Sequence, residues 1–259
     1  MGTDLSHRTA LITGAGKGIG RAVAEAFGDA GATVVCLART EADVAATAES
    51  VEAAGGTGVA VTADVSDPEA IDDGYDEILR RVGAPDVLVN NAGVFLADSP
   101  LEQSLDDVDA MLDLNVRGLF YLSQRFGREY RDAGHDTGRI VNVASNVARV
   151  AVPAWTLYGA TKAAVLGLTR GFALELADDG VTVNAVSPGT TRTPAVEGVI
   201  ESSGEDLYDF DRHPTRVAEP EDIAEVCLFL ASDGAEHVTG EEVVADGGVS
   251  ITSGFYRQF

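Results

Sequence analysis

The amino-acid sequence predicts an α/β fold: a single domain built on a doubly wound parallel sheet of seven strands, with helices on both faces. Two observations lead to this fold class. Apolar runs alternate with helical patterns along the whole chain. Six of the seven runs are unbroken and show no alternation of apolar and polar residues. Strands that are buried on both faces produce such runs. A length of 259 residues suits one hydrophobic core, so we expect residues 1–259 to form one domain.

The strand candidates are separated by segments long enough for crossover helices, which gives the right-handed repeat of doubly wound sheets. They are Thr9–Thr13, Thr33–Leu37, Gly58–Ala63, Val87–Asn90, Arg139–Ala144, Val181–Val186 and Val243–Ala245. Two helix starts carry additional signals. Asp67 precedes Pro68, and Glu219 precedes Pro220. A polar cap residue followed by a proline is typical of a helix N-terminus.

The chain is strongly acidic, with 42 Asp and Glu residues against 18 Lys and Arg residues and a formal net charge of −24. Such a charge repels nucleic acid and anionic membrane surfaces. Only two of the basic residues are lysines, Lys17 and Lys162. An acidic, lysine-poor surface resembles that of proteins from salt-loving organisms, in which concentrated cations screen the self-repulsion. An ordinary acidic protein is the alternative.

The remaining composition excludes several other classes of protein. No apolar run approaches the roughly 20 residues of a membrane-spanning helix, and the first residues carry no apolar signal-peptide region, so we expect a cytoplasmic protein. The two cysteines, Cys36 and Cys227, fall in a predicted strand and a predicted helix, which indicates core thiols. The four histidines are scattered without metal-ligand spacing, so no metal site is predicted.

A candidate proton-transfer site lies in the second half of the chain. Tyr158 and Lys162 are four residues apart, and Ser145 stands thirteen residues before Tyr158 at the end of an apolar run. Positions i and i+4 of a helix share one face, so the lysine ammonium can stabilise the phenolate form of the tyrosine. Each residue alone is usually structural, whereas the three together indicate acid/base chemistry.

The turn between the first strand and the first helix is rich in glycine and holds one lysine. Its residues of interest are Gly14, Lys17, Gly18, Ile19 and Gly20. The pattern fits neither G-x-G-x-x-G nor a P-loop, but glycines let backbone N–H groups at a helix N-terminus approach a pyrophosphate. The second strand ends at Arg39 without a carboxylate. Together with Lys17, this arginine favours the 2′-phosphate of NADP(H), and NAD(H) stays possible.

With these residues in place, the chain resembles the short-chain dehydrogenase/reductase family over nearly its whole length, in the single-domain branch with a Tyr-x-x-x-Lys active site. The motifs stand in the family's order and at compatible spacings: Thr13-Gly14-x-x-x-Gly18-x-Gly20, Asp64-Val65, Asn90-Asn91-Ala92-Gly93, Asn115, Ser145, Tyr158-x-x-x-Lys162 and Pro188-Gly189. The resemblance implies a Rossmann-type fold and an NAD(P)-dependent oxidoreductase.

The resemblance also implies a role for each matched position. Ser145 would hold the substrate oxygen, Tyr158 would act as general acid/base, and Lys162 would serve both the phenol and the nicotinamide ribose. Asn115 would bind a water that carries protons towards Lys162; a buried asparagine that satisfies backbone groups is the alternative. Tyr158 is also an implied cofactor contact, and the others are Asp64, Val65, Asn91, Ala92, Gly93, Pro188, Gly189, Thr191 and Thr193.

Substrate specificity is expected to lie around Leu96, in the segment that contains Asn146 and Trp155, and in a lid over residues 190–219. Asn146 would hydrogen-bond a substrate hydroxyl, with a backbone contact as the alternative, and Trp155 would line the pocket, with a core position as the alternative. We expect a small ketone, polyol or sugar as the substrate.

Two rival functions stay open at this point. One is reduction of a 3-oxoacyl thioester on acyl carrier protein or coenzyme A, for which Arg125, Arg128 and Arg131 are a candidate docking patch. The other belongs to a different class, an NADP-binding regulatory protein, because a fold does not fix a function. Such a protein has no need for Ser145 and the Tyr158–Lys162 pair together, so an enzyme is the better interpretation.

The resemblance implies a homo-oligomer, since relatives commonly form tetramers through the helices that hold Asn115 and Tyr158. The chain ends with Phe255, Tyr256 and Phe259 within its last five residues. Three aromatic residues are unusual for a free tail. We expect this ending to pack on a neighbouring subunit, with docking on its own subunit as the alternative.

Overall fold

The computed structural model describes residues 3–194, 196–197 and 215–251. Within these ranges, seven strands form one sheet in the order β3-β2-β1-β4-β5-β6-β7, and every neighbouring pair is parallel. The strands are β1 (Thr9–Thr13), β2 (Thr33–Ala38), β3 (Thr57–Thr62), β4 (Val87–Asn90), β5 (Gly138–Val143), β6 (Val181–Pro188) and β7 (Glu242–Ala245). The predicted seven-stranded parallel sheet is confirmed.

Helices cover both faces of the sheet, as predicted. They are α1 (Gly18–Asp29), α2 (Glu41–Ala54), α3 (Pro68–Val82), α4 (Leu105–Leu112), α5 (Leu119–Ala133), α6 (Thr156–Glu175) and α7 (Pro220–Ala231), and a π-helical turn (Asp113–Gly118) joins α4 to α5. Both predicted helix starts are confirmed. The Asp67 carboxylate accepts a hydrogen bond from the N–H of Glu69 at 2.9 Å, and Glu219 and Asp222 form a capping box in front of α7.

The core consists of one apolar layer on each face of the sheet. Successive strand residues face opposite sides. Ile12 therefore packs with α1, α2 and α7, whereas Leu11 packs with α3 and α5. Cys36 and Cys227 are buried free thiols in the first layer, and burial raises the pKa of each to about 12. Both cysteines are therefore core thiols, as predicted.

The strand order places the functional loops side by side. The sheet continues from β1 to β2 and β3 in one direction, and from β4 to β7 in the other. At such a switch point the loops after neighbouring strands diverge and leave a crevice at the carboxyl ends of the strands. The glycine turn follows β1, Asn91 follows β4, Ser145 comes two residues after β5, and Pro188 ends β6. The topology thus brings distant segments to one edge of the sheet.

Some expectations concern residues outside the described ranges. The lid expected over residues 190–219 is described only at 190–194, 196–197 and 215–219, and the three aromatic residues of the C-terminal ending lie beyond residue 251. In the described part of the chain, no helix is long and apolar enough to cross a bilayer. The same residues contain no group of three or more His, Cys, Asp or Glu that could hold a metal ion.

Candidate active site

A cleft of about 410 Å³ runs along the carboxyl ends of the strands. The segments that follow β1 to β6 form its walls. The predicted residues that line it are Gly14, Lys17, Gly18, Ile19, Arg39, Asp64, Val65, Asn91, Ala92, Gly93, Ser145, Asn146, Trp155, Tyr158, Lys162, Pro188, Gly189, Thr191 and Thr193. Two predicted residues, Gly20 and Asn115, pack outside this lining. Residues that are far apart in the chain therefore share one space.

The glycine turn requires residues without side chains at two points. Gly14 has a φ of 64°, and a Cβ there would lie 2.8 Å from Nδ2 of Asn91. Gly20, in the first turn of α1, packs so closely on the backbone oxygen of Gly14 that a side chain does not fit. The first turn of α1 contains no acidic residue. The N-terminus of α1 is thus suited to an anion such as a pyrophosphate.

Thr13 and Asn91 join the glycine turn to the segment after β4. Oγ1 of Thr13 accepts hydrogen bonds from the backbone N–H groups of Asn91 and Ala92, both at 3.0 Å. Nδ2 of Asn91 donates to the backbone oxygen of Thr13 at 2.9 Å. Thr13 is buried, so these bonds form away from water. The loops after β1 and β4 therefore form one continuous wall.

Two cations and two acids occupy the end of the cleft beyond β2 and β3. Arg39 is 71% exposed and lies 3.8 Å from Asp64, an exposed pair that contributes at most about 1 kcal/mol. Asp64 also accepts hydrogen bonds from the N–H and the hydroxyl of Ser66. Lys17 is exposed at the mouth of the glycine turn. Asp43, in the first turn of α2, lines the same end.

Tyr158 and Lys162 both border the cleft from α6. Nζ of Lys162 lies 5.7 Å from the centre of the Tyr158 ring and donates a hydrogen bond to the backbone oxygen of Val143 at 2.9 Å. Lys162 is 5% exposed, and desolvation by burial lowers its pKa to about 8. Ser145 lines the same cleft, and its Oγ accepts a long hydrogen bond of 3.4 Å from the N–H of Val147. The arrangement can hold a carbonyl oxygen and deliver a proton to it.

Asn115 lies next to the cleft in the π-helical turn Asp113–Gly118. Such turns insert one residue into a helix and are frequent at functional sites. The side chain of Asn115 is buried, and its Oδ1 accepts from the N–H of Val94 at 2.8 Å. Its Nδ2 donates to the backbone oxygen of Val94 at 2.9 Å and to Oγ1 of Thr161 at 3.1 Å. The amide therefore fastens the loop after β4 to α6, and its implied contact with a water stays a prediction.

Three aromatic rings, which we call the aromatic corner, stand beside the reactive phenol. Phe95 approaches Tyr158 at 4.9 Å between ring centres and 78° between planes, and it approaches Trp155 at 4.7 Å and 65°. Trp155 and Tyr158 are 6.5 Å apart at 84°. Edge-to-face contacts of this kind are favourable. All three residues are partly exposed and line the cleft. Sequence reasoning pointed only to the neighbouring Leu96 and did not single out Phe95.

Asp246, directly after β7, connects three segments behind the cleft. Its carboxylate accepts hydrogen bonds from the N–H of Gly248, from the N–H and hydroxyl of Ser250, and from Nδ2 of Asn146. Burial disfavours its charge, but these hydrogen bonds outweigh burial and hold its pKa below the usual range. A Cβ on Gly189 would lie 2.7 Å from the Cβ of Asp246. Sequence reasoning missed Asp246, for which the only local signal is the Asp-Gly-Gly turn.

The segment after β6 forms the wall opposite the glycine turn. Thr191 is buried, and its hydroxyl donates to the backbone oxygen of Gly189 at 3.1 Å. Thr193 lies beside the glycine turn, since a Cβ on Gly18 would be 3.3 Å from the Thr193 methyl group. The walls that follow β1 and β6 therefore approach each other closely at this point.

Comparison with known proteins extends these observations. A family model described as enoyl-(acyl carrier protein) reductase matches residues 14–250. The chain is 35% identical over 257 residues to 3beta-hydroxysteroid dehydrogenase 1 of Eggerthella lenta, and the match covers 98% of each chain. It is also 35% identical over 251 residues to the 3-oxoacyl-[acyl-carrier-protein] reductase FabG of Thermotoga maritima, and this match covers 95% of this chain and 99% of that protein.

A solved structure with the same architecture contains a cofactor. The angucycline C-6 ketoreductase LanV with bound NADP matches with a TM-score of 0.87 and 36% sequence identity, over 96% of this chain and 98% of that chain. The similarity therefore extends over the glycine turn, the Tyr158–Lys162 pair and the segment after β6 together.

Proposed function

Because the chain belongs to the short-chain dehydrogenase/reductase family of oxidoreductases, we propose that it interconverts a ketone and a secondary alcohol by NADP(H)-dependent hydride transfer, with Tyr158 as the general acid/base. One observation carries this proposal. The Tyr158 phenol shares a cleft with the buried ammonium of Lys162, whose Nζ is 5.7 Å from the ring centre. Ser145 lines the same cleft.

In the reducing direction, Ser145 donates a hydrogen bond to the substrate carbonyl oxygen, and Tyr158 transfers its phenolic proton to that oxygen. The charge of Lys162 stabilises the resulting phenolate, and its effect is strong because the ammonium is shielded from water. Since the pKa of Lys162 is lowered to about 8, this side chain can also exchange a proton near neutral pH. When bound, a nicotinamide cofactor would supply the hydride in reduction and accept it in oxidation.

The described residues fit a phosphorylated dinucleotide. The glycine turn opens the N-terminus of α1 towards the cleft, where backbone N–H groups suit a pyrophosphate. Lys17 and Arg39 stand at the end beyond β2, and they support a preference for NADP(H), as does the NADP bound to the similar LanV structure. The carboxylate of Asp43 lies at the same end and would repel a 2′-phosphate. We therefore expect the protein to prefer NADP(H) without excluding NAD(H).

Reduction of a 3-oxoacyl thioester is the second candidate, because FabG is a relative at 35% identity. Two of the three arginines of the candidate docking patch, Arg125 and Arg131, argue against it. Arg125 lies within 3.1 Å of three carboxylates of its own chain, and Arg131 lies 2.7 Å from Asp179. Arginines that are already paired with acids offer little attraction to an acidic carrier protein.

The experiment that tests the proposed function follows NADPH absorbance while the protein is mixed with ketones, sugars and thioesters, and NADP⁺ reduction with the corresponding alcohols. We expect turnover of at least one ketone or secondary alcohol. Tight NADPH binding without turnover of any compound would contradict the proposal and favour an NADP-binding regulatory protein.

We also propose a homo-oligomer, with the tetramer that the family resemblance implies as the expected state. Phe120 on α5 and Leu174 on α6 are 42% and 83% exposed. The ring of Phe120 lies 5.5 Å from that of Phe172, so the outer surfaces of both helices carry apolar groups that a second subunit can cover. Light scattering on the purified protein tests this, and the mass of a monomer at micromolar concentration would contradict it.

A further inference from the structure

Charge is segregated along the cleft. At the end formed by the segments after β1, β2 and β3, the charged residues of the lining are Lys17, Arg39, Asp43 and Asp64. In the half formed by the segments after β4, β5 and β6, Lys162 is the one charged residue among the described lining residues. Lys162 is buried and donates to the backbone oxygen of Val143. The half that contains the reactive phenol therefore presents no exposed charge from its described residues.

The same half contains the aromatic corner. Phe95 packs edge to face against both Trp155 and Tyr158, and Trp155 also meets Tyr158 edge to face. Further apolar side chains of this half are Val94, Pro194 and Val196. A neutral polar group, the amide of Asn146, donates through its Nδ2 to Asp246 at 3.4 Å. Beside the reacting hydroxyls, the described surface thus combines rings and aliphatic groups with neutral hydroxyl and amide groups, which include Thr190, Thr191 and Thr193.

Backbone contacts hold the aromatic corner in place. On one side of Phe95, Val94 makes two hydrogen bonds with the buried Asn115. On the other side, the N–H of Asp98 donates to the backbone oxygen of Ala154 at 3.0 Å. Ala154 itself has a φ of 67°, a left-handed conformation that residues other than glycine rarely adopt, and it directly precedes Trp155. The corner is therefore preorganised, which lowers the cost of ordering it around a ligand.

We propose that the substrate is an uncharged, largely apolar cyclic ketone or the corresponding alcohol, whose ring packs against Phe95 and Trp155 while its one oxygen meets Ser145 and Tyr158. This inference rests on the oxidoreductase function proposed above and narrows its substrate class. Among the described residues, a carboxylate or phosphate that entered this half would lose its hydration without gaining an exposed cation. A sugar hydroxyl placed against the aromatic corner would exchange water for hydrocarbon, whereas an apolar ring gains from burial there.

Three cyclohexanones that differ only in the group opposite the carbonyl test this proposal. The groups are methyl, hydroxyl and carboxylate, and kcat/KM is measured for each at saturating NADPH. We expect the methyl compound to exceed the hydroxyl compound by about tenfold and the carboxylate by about a hundredfold. A bicyclic ketone without further polar groups should exceed all three, because it covers more of the aromatic corner.

Variants of Phe95 distinguish an effect of the aromatic corner on substrate selectivity from a general loss of folding. In Phe95→Ala we expect the methyl-to-hydroxyl ratio of kcat/KM to fall at least threefold, and in Phe95→Leu by a smaller factor, because part of the apolar surface remains. NADPH affinity, measured by fluorescence, serves as the check on folding. Phe229→Ala on α7 is the matched control, since Phe229 is 46% exposed and lies outside the cleft lining. It should leave the ratio unchanged.

The outcomes distinguish this inference from the proposed function. Equal rates for the three cyclohexanones, a preference for the carboxylate, or turnover of sugars or thioesters alone would overturn the substrate class and leave the oxidoreductase function standing. A methyl preference that is the same in wild type, Phe95→Ala and Phe95→Leu would also overturn it, because the aromatic corner would then not select. Binding of NADPH without turnover of any carbonyl compound would refute both.

Discussion

Replacement of Arg39 by glutamine tests the predicted cofactor preference. Arg39 is 71% exposed, and the carboxylate of Asp64 lies 3.8 Å from it. Such an exposed pair contributes at most about 1 kcal/mol, so the guanidinium can turn to a 2′-phosphate at small cost. A charge-assisted hydrogen bond contributes about 1.5 to 3 kcal/mol. The difference leaves about 0.5 to 2 kcal/mol, so Arg39→Gln should weaken NADPH binding by roughly 2- to 30-fold.

The assay is a fluorescence titration of NADPH and NADH against wild type and variants at one ionic strength, because charge interactions depend on salt. The Kd for NADH should change by less than about twofold, since NADH lacks the 2′-phosphate. Asp43→Asn should act in the opposite direction and tighten NADPH binding. Arg21→Gln is the matched control, because Arg21 lies on α1 and pairs with Glu25 at 2.8 Å outside the cleft lining. A loss that is equal for NADPH and NADH in Arg39→Gln would refute the assignment of Arg39 to the 2′-phosphate.

The side chains of Asn115 and Asp246 and the net charge of the chain each lead to a prediction. Asn115→Ala leaves both backbone groups of Val94 without their side-chain partner, so urea unfolding should show a loss of about 2 to 4 kcal/mol; a loss under about 0.5 kcal/mol would contradict the anchoring role. Asp246→Asn places an amide N–H against several donors, so the free energy of unfolding should fall by about 1 to 3 kcal/mol. Because Asp246 holds the amide of Asn146, the substrate KM should also rise by a larger factor than the NADPH Kd. An unchanged KM would show that Asn146 needs no such support. Because the net charge is −24, the chain repels itself, and the melting temperature should rise when KCl screens this repulsion. The Debye length falls from about 10 Å at 0.1 M to about 3 Å at 1 M. A melting temperature that does not depend on the KCl concentration would count against a salt-adapted surface.

The parts that the sequence predicts well are those encoded locally. The strands are recognisable because a sheet covered on both faces requires unbroken apolar runs, and the Tyr158–Lys162 pair is recognisable because helical spacing alone places both residues on one face. The carboxyl-end location of Ser145 follows once the strand before it is identified. None of these inferences needs knowledge of a contact between distant segments.

The parts that the sequence does not predict depend on tertiary contacts. Asp43 stands in α2, and it borders the cleft because the turn after β1 packs against it, a contact that no local pattern signals. The π-helical turn around Asn115 exists where its amide meets the backbone of Val94, and no local pattern signals that partner. Phe95 stands beside the phenol through ring contacts with two residues some 60 positions away in the chain, and no local pattern signals those partners.

Removal of one hydroxyl group, in Tyr158→Phe, tests the central claim most directly. The measurement compares kcat with the best ketone at saturating NADPH in wild type and variant, together with the Kd for NADPH. General acid catalysis contributes about 10²- to 10⁴-fold, so kcat should fall by at least about 100-fold. The Kd should stay within about twofold, because the ring and its contact with Phe95 at 4.9 Å are kept. A Tyr158→Phe protein that retained more than about a tenth of wild-type kcat would contradict the assignment of Tyr158 as the proton donor.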